Sequence, residues 1–181
     1  MYLCTKFNDL IFFIFFCDIL LKNLSFTFFC FFVFALPSMA QKLSEGDIFP
    51  KVMFKTIDGE LLKTEGKLVF YNFYFAACSA CIAQKDGLNE LYERFHANDH
   101  IVFVSVTFDN LTTIEQFRKK HKIPFKIVSV NSQEVYRFVS AHPTNFLVGV
   151  DGKIVLKMVG GKSRTVHNRF ASAIQSELQK L

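Results

Sequence analysis

The sequence predicts an α/β fold: a mixed central sheet with helices on both faces and an N-terminal β-hairpin. Three observations predict it. Strand-like and helix-like segments alternate from residue 41 onward, the pattern of a layered α/β domain. Two segments, "KLVFYNFYF" and "HIVFVSVTF", are apolar without interruption, as in strands buried on both faces. Asp58-Gly59 and Asp151-Gly152 each sit between strand-like runs and favour tight hairpin turns, so some strands must pair antiparallel.

In chain order, "VMFKTIDGELLKTEG" offers two short strands about Asp58-Gly59, the predicted hairpin. "KLVFYNFYF" follows as a central strand and runs directly into Cys78 and Cys81. Leu88, Leu91, Tyr92 and Phe95 then recur at helical spacing, which predicts an amphipathic helix from near Cys78 to about His96. "HIVFVSVTF" is the next strand, "TIEQFRKKHK" a helix behind a Thr cap, "FKIVSV" a short strand, and "SQEVYRFVS" a helix capped by Ser132. "NFLVGV" and "KIVLKMVG" form a second hairpin through Asp151-Gly152. The tail is a closing helix with Val166, Phe170, Ile174 and Leu178 (or Ala173) on one face.

Residues 1–40 have a different character. Lys22, the apolar run Leu24 to Leu36 and the small residues of Ser38-Met39-Ala40 read as an export signal. The run from Leu10 to Leu21 either lengthens an uncleaved N-terminal hydrophobic anchor or precedes the true start of translation. Each run is shorter than the ~20 residues that span a bilayer. The organisation is therefore 1–40 signal peptide or anchor and 41–181 one domain, in a periplasmic or extracytoplasmic location, with membrane contact only through residues 1–40. Lys6 and Lys22 balance Asp9 and Asp18, so the domain keeps the net charge of +5. Its basic residues are scattered apart from "RKKHK" at 118–122, which reads as a solvated helix end and not as a nucleic-acid surface.

Loss of the first 40 residues removes Cys4, Cys17 and Cys30 and leaves Cys78 and Cys81 as the only thiols. Their spacing, Cys-x-x-Cys between a buried strand and a helix, points to a redox pair. A helix N-terminus carries partial positive charge and free N–H groups, which stabilise a thiolate at Cys78. Cys81, one turn on, is placed to resolve a mixed disulfide formed there. Two other readings stay open. Zinc would need further ligands, and no second cysteine pair exists; inert buried cysteines are the other. His96, His100, His121 and His167 fall at helix ends or in loops and read as solvated.

"VFYNFYFAACSAC" and "HPTNFLVGVDGKIV" together resemble the thioredoxin superfamily, and most closely its exported thiol-disulfide oxidoreductases of the TlpA/ResA type, over the whole domain. The resemblance implies a thioredoxin-like fold and a Cys78–Cys81 disulfide. It makes Cys78 the nucleophile and Cys81 the resolving thiol. It implies a cis peptide bond before Pro143, with His142 and Pro143 bordering the cysteines for substrate binding or thiol pKa tuning. Tyr74, Phe75, Ser79 and Ala80 become the surroundings of the site. It implies no cofactor, protein thiols or disulfides as partners, a membrane thiol carrier as electron donor, and a reducing role such as cytochrome c maturation. The chain departs from the family at Ala77, where Trp is usual, at Ser79-Ala80, which lacks proline, and at Gln84, where some members carry Glu. His142, which titrates near neutrality, is a candidate to favour the thiolate when protonated. The segment also resembles that of Sco-type copper proteins, which implies an alternative copper set of Cys78, Cys81 and His142. Against that alternative, Sco-type cysteines are three residues apart and their His is not followed by Pro. A peroxiredoxin reading lacks the Pro and Thr that precede a peroxidatic cysteine.

Overall fold

Among the described residues, five strands and four helices follow in the order β1 (Leu68–Phe73), α1 (Ser79–Phe95), β2 (Ile101–Thr107), α2 (Leu111–His121), β3 (Lys126–Ser129), α3 (Ser132–Phe138), β4 (Thr144–Val148), β5 (Ile154–Val159) and α4 (Ser163–Leu178). The structure, a computed structural model, describes residues 42–181, which form one compact unit. The signal or anchor expected over 1–40 lies outside the described residues. Among those described, no helix is long and apolar enough to cross a membrane.

The sheet runs β3-β2-β1-β4-β5. β1 pairs parallel with β2 and antiparallel with β4, β2 parallel with β3, and β4 antiparallel with β5. It is therefore the mixed sheet that the hairpin and crossover signals predict. β1 lies at its centre with all six residues buried, which explains its unbroken apolar sequence. The pleat divides its side chains. Tyr71 and Phe73 join Phe49, Phe54, Val135 and Phe138 in one core, under α3 and the segment before β1. Leu68 and Phe70 join Leu88, Leu91, Phe95, Phe170 and Ile174 in the other, under α1 and α4.

Two caps differ from expectation. Asn110 Oδ1 accepts from the Thr113 N–H to start α2, and Asn131 Oδ1 accepts from the Glu134 N–H to start α3. The helices begin at Leu111 and Ser132, one residue after each Asn, so Thr and Ser132 lie inside. Asn fills the cap position as readily as Ser or Thr, and the choice follows from where the chain leaves the sheet. The first predicted hairpin contracts to a single antiparallel bridge, Lys55 to Leu61, around Asp58-Gly59. Its neighbour Ile57 instead donates its N–H to Ile127 O on β3, 2.9 Å away, covering that edge of the sheet. At the opposite edge Gly46 and Phe49 donate to Ile154 O and Gly152 O. Both edges thus make backbone hydrogen bonds to the segment that precedes β1. The second hairpin forms as expected, with Gly152 at φ 82° and Gly149 N–H donating to Lys153 O at 2.8 Å.

Candidate active site

β1 ends at Phe73, and the chain leaves the sheet toward α1 over five residues. Tyr74 N–H donates to Val106 O at 3.0 Å, extending the β2 pairing by one residue. Ala76 N–H donates to the Asp109 carboxylate at 2.7 Å, which also receives the Thr107 hydroxyl at 2.7 Å. Cys78 N–H then closes a turn onto Phe75 O at 3.0 Å. Asp109 thus anchors the loop from across β2. Sequence reasoning missed it, although its place just after the C-terminal end of a parallel strand was an available signal.

Cys78 is the N-cap of α1, and its Sγ accepts the Cys81 N–H at 3.1 Å. The two cysteines are joined in a disulfide with Cα atoms 5.2 Å apart. Each is 6% exposed, so the outer and inner thiols are not distinguished by access in this oxidised state. They are distinguished by backbone: Cys78 is the N-cap whose sulfur receives a first-turn N–H, whereas Cys81 lies inside the helix. Among the site surroundings, Ser79 and Ala80 are exposed on the first turn. Tyr74 is buried with both cysteines against Phe117, its ring 5.2 Å from that ring. Burial pushes its phenol well above the ordinary range, and the Asp109 charge adds to the shift.

His142 belongs to an aromatic group beside this loop. Its ring meets Phe75 edge-on at 5.4 Å, Phe108 at 5.9 Å and Tyr136 at 5.9 Å. Its Nε2 is buried and has no hydrogen-bond partner among the described residues. Burial lowers the imidazole pKa, with the Asp109 charge opposing it. The protonated His142 expected to favour the thiolate is therefore disfavoured, because a cation would lose its hydration among three rings. The His142–Pro143 bond is cis, and Pro143 O accepts from Gly160 N–H at 2.8 Å. Among the described residues, Cys78, Cys81 and His142 do not assemble into a metal-holding group. In this oxidised state the sulfurs are bonded to each other, and the imidazole is packed into its aromatic group. Of the four histidines read as solvated, His96 and His100 are exposed. His121 and His167 are half-buried, His121 because its ring rests 4.5 Å from Phe117.

Comparison with known proteins adds three findings. The AhpC/TSA family matches residues 46–157, more than half of the chain. A thiol-disulfide oxidoreductase ResA of Bacillus cereus is 25% identical over 129 residues, covering 68% of this chain and 75% of its own. Its Bacillus subtilis (strain 168) counterpart is 26% identical over 141 residues, covering 75% and 78%. Two solved structures share the fold. StoA from Bacillus subtilis has a TM-score of 0.56 at 24% identity, covering 67% of this chain and 98% of its own. The thioredoxin domain of a thiol-disulfide oxidoreductase from Bacteroides vulgatus has a TM-score of 0.62 at 23% identity, covering 72% and 98%.

Proposed function

The chain belongs to the AhpC/TSA family, with a thioredoxin-like fold, and from that premise we propose that it is a thiol-disulfide oxidoreductase acting on protein thiols and disulfides. One observation carries the reading: the Cys78–Cys81 disulfide lies at the helix N-cap, with the Cys81 N–H directed at Cys78 Sγ. Reduction leaves that N–H and the helix dipole to stabilise a Cys78 thiolate. In the reducing direction the thiolate attacks one sulfur of a substrate disulfide. A Cys78–substrate bond forms, and the other substrate sulfur leaves as a thiolate. Cys81, deprotonated to solvent, then attacks Cys78 Sγ, which re-forms the disulfide and releases the second substrate thiolate. Two electrons pass to the substrate, and an external thiol must return them.

The finer reading is an exported reductant, in the periplasm or another extracytoplasmic space. Its support is the apolar run that ends at Ser38-Met39-Ala40, together with the TlpA/ResA-type motifs. A membrane thiol carrier would supply electrons, and cytochrome c maturation is a fitting use. His142 and Pro143 are proposed to border the docked substrate, since Phe75 links the His142 ring to the cysteine loop.

Cys81→Ser tests the core of the proposal. The variant should accumulate mixed disulfides through Cys78, separated on non-reducing gels, identified by mass spectrometry and released by dithiothreitol. Cys78→Ser should accumulate none. A folded Cys81→Ser protein that captures no thiol partner would end the oxidoreductase reading.

A further inference from the structure

Gln84 is fully buried one turn beyond Cys81 and spends its whole amide on three contacts. Its Nε2 donates to Gly160 O and, at 2.9 Å, to Gly161 O. Its Oε1 accepts from Asn145 Nδ2 at 3.0 Å, and Asn145 Oδ1 accepts from Asn72 Nδ2 at 2.8 Å. The sheet register makes this chain possible, because Asn72 and Asn145 are direct partners across β1 and β4.

These contacts converge on one segment. Asn145 is two residues beyond Pro143 on β4. Gly160, at the far end of β5, donates its N–H to Pro143 O at 2.8 Å. Gln84 therefore holds the Pro143 segment from both flanks, through Asn145 on one side and Gly160 on the other. The glycines suit this use. Both have positive φ, 66° and 103°, which only glycine adopts freely. A Cβ on Gly161 would also meet Met158 Cε at 2.6 Å.

We propose that Gln84 is a positioning residue for exchange with polypeptide disulfides. It fixes the Pro143 segment against the cysteine-bearing helix through the backbone of Gly160 and Gly161. The proposal rests on the oxidoreductase reading. A small disulfide needs only the Cys78 sulfur. An extended polypeptide also needs neighbouring backbone held at the right distance, and misplacement by an ångström lowers such a rate steeply.

The test compares two probes on the reduced protein: hydroxyethyl disulfide, and an extended peptide whose central cysteine is capped by mercaptoethanol. Gln84→Ala should lower the ratio of peptide rate to hydroxyethyl disulfide rate by about tenfold. Gln84→Glu supplies a second variant of equal size. Protonated, its carboxyl donates to one glycine carbonyl and still accepts from Asn145, where the amide donates to two. Ionised, it faces their oxygens and repels them, so burial among those acceptors raises its pKa. Its peptide-to-small-disulfide ratio should lie above that of Gln84→Ala near pH 5 and fall as pH rises toward about pH 9, while the wild-type ratio stays flat. An unchanged ratio in Gln84→Ala, or a flat one in Gln84→Glu should Gln84→Ala not fold, overturns the role of Gln84. A wild-type protein that reacts with neither probe overturns the oxidoreductase reading itself.

Discussion

A single imidazole shows how little of a residue's chemistry is set by its type. His142 has the ordinary side chain of a pH switch, yet Phe75, Phe108 and Tyr136 surround it and leave its Nε2 without a partner among the described residues. Its folded pKa is lowered by that burial, against the attraction of Asp109. Below the unfolded value of about 6.5, the unfolded chain binds a proton that the folded chain resists. Stability from this site is therefore present above that pH and is lost as pH falls through it. Thermal melts should show wild type losing more stability than His142→Gln between neutral pH and about pH 5. An equal loss in both would mean that the ring is solvated. The sequence showed the residue and its neighbour Pro143. It could not show the three rings, which come from β1's exit, the end of β2 and α3.

At the scale of elements, the cysteine helix makes one especially close approach to α4. Gly87 on α1 lies against Ser163 at the start of α4, where its N–H donates to Ser163 Oγ at 2.7 Å. A Cβ at Gly87 would collide with Ser163 O, a backbone atom that cannot swing aside. Gly87→Ala should therefore destabilise the protein by about 1–3 kcal/mol despite its better helix propensity, because forced overpacking outweighs a gain of under about 1 kcal/mol. Urea unfolding measures the sign, and a stabilised variant would show that α4 can retreat. Helix periodicity marked Leu88, Leu91 and Phe95 as core, and α1 buries them. A glycine in mid-helix carries no such label in sequence, since its reason is another element's backbone.

Across the whole molecule, the core is assembled without the cysteines. The two large apolar clusters, one on each face of the sheet, contain neither Cys78 nor Cys81. The disulfide spans a sequence separation of 3, so it restrains the unfolded chain little. Reduction should cost no more than about 2 kcal/mol, and the dithiol form should stay folded with a cooperative urea transition. Loss of that transition in dithiothreitol would make the bond structural. Stability and redox state are then nearly independent, as repeated cycling of the pair requires.

By itself the sequence determined the alternation of strands and helices, the two buried strands and the Cys-x-x-Cys at a strand–helix junction. These depend on local spacing, because burial on one or two faces is written directly in apolar period. The resemblance of two motifs then led to the family. Only the tertiary structure decided which asparagines cap α2 and α3, and that the first hairpin is one bridge whose turn residue Ile57 bonds to the β3 edge. It alone brought Asp109 to the Ala76 N–H, and Asn72, Asn145 and Gln84 into one hydrogen-bonded line. Those partners are 33, 73 and 61 residues apart. A polar side chain in sequence carries no mark of its distant acceptor; sheet register supplies it when strands remote in the chain align.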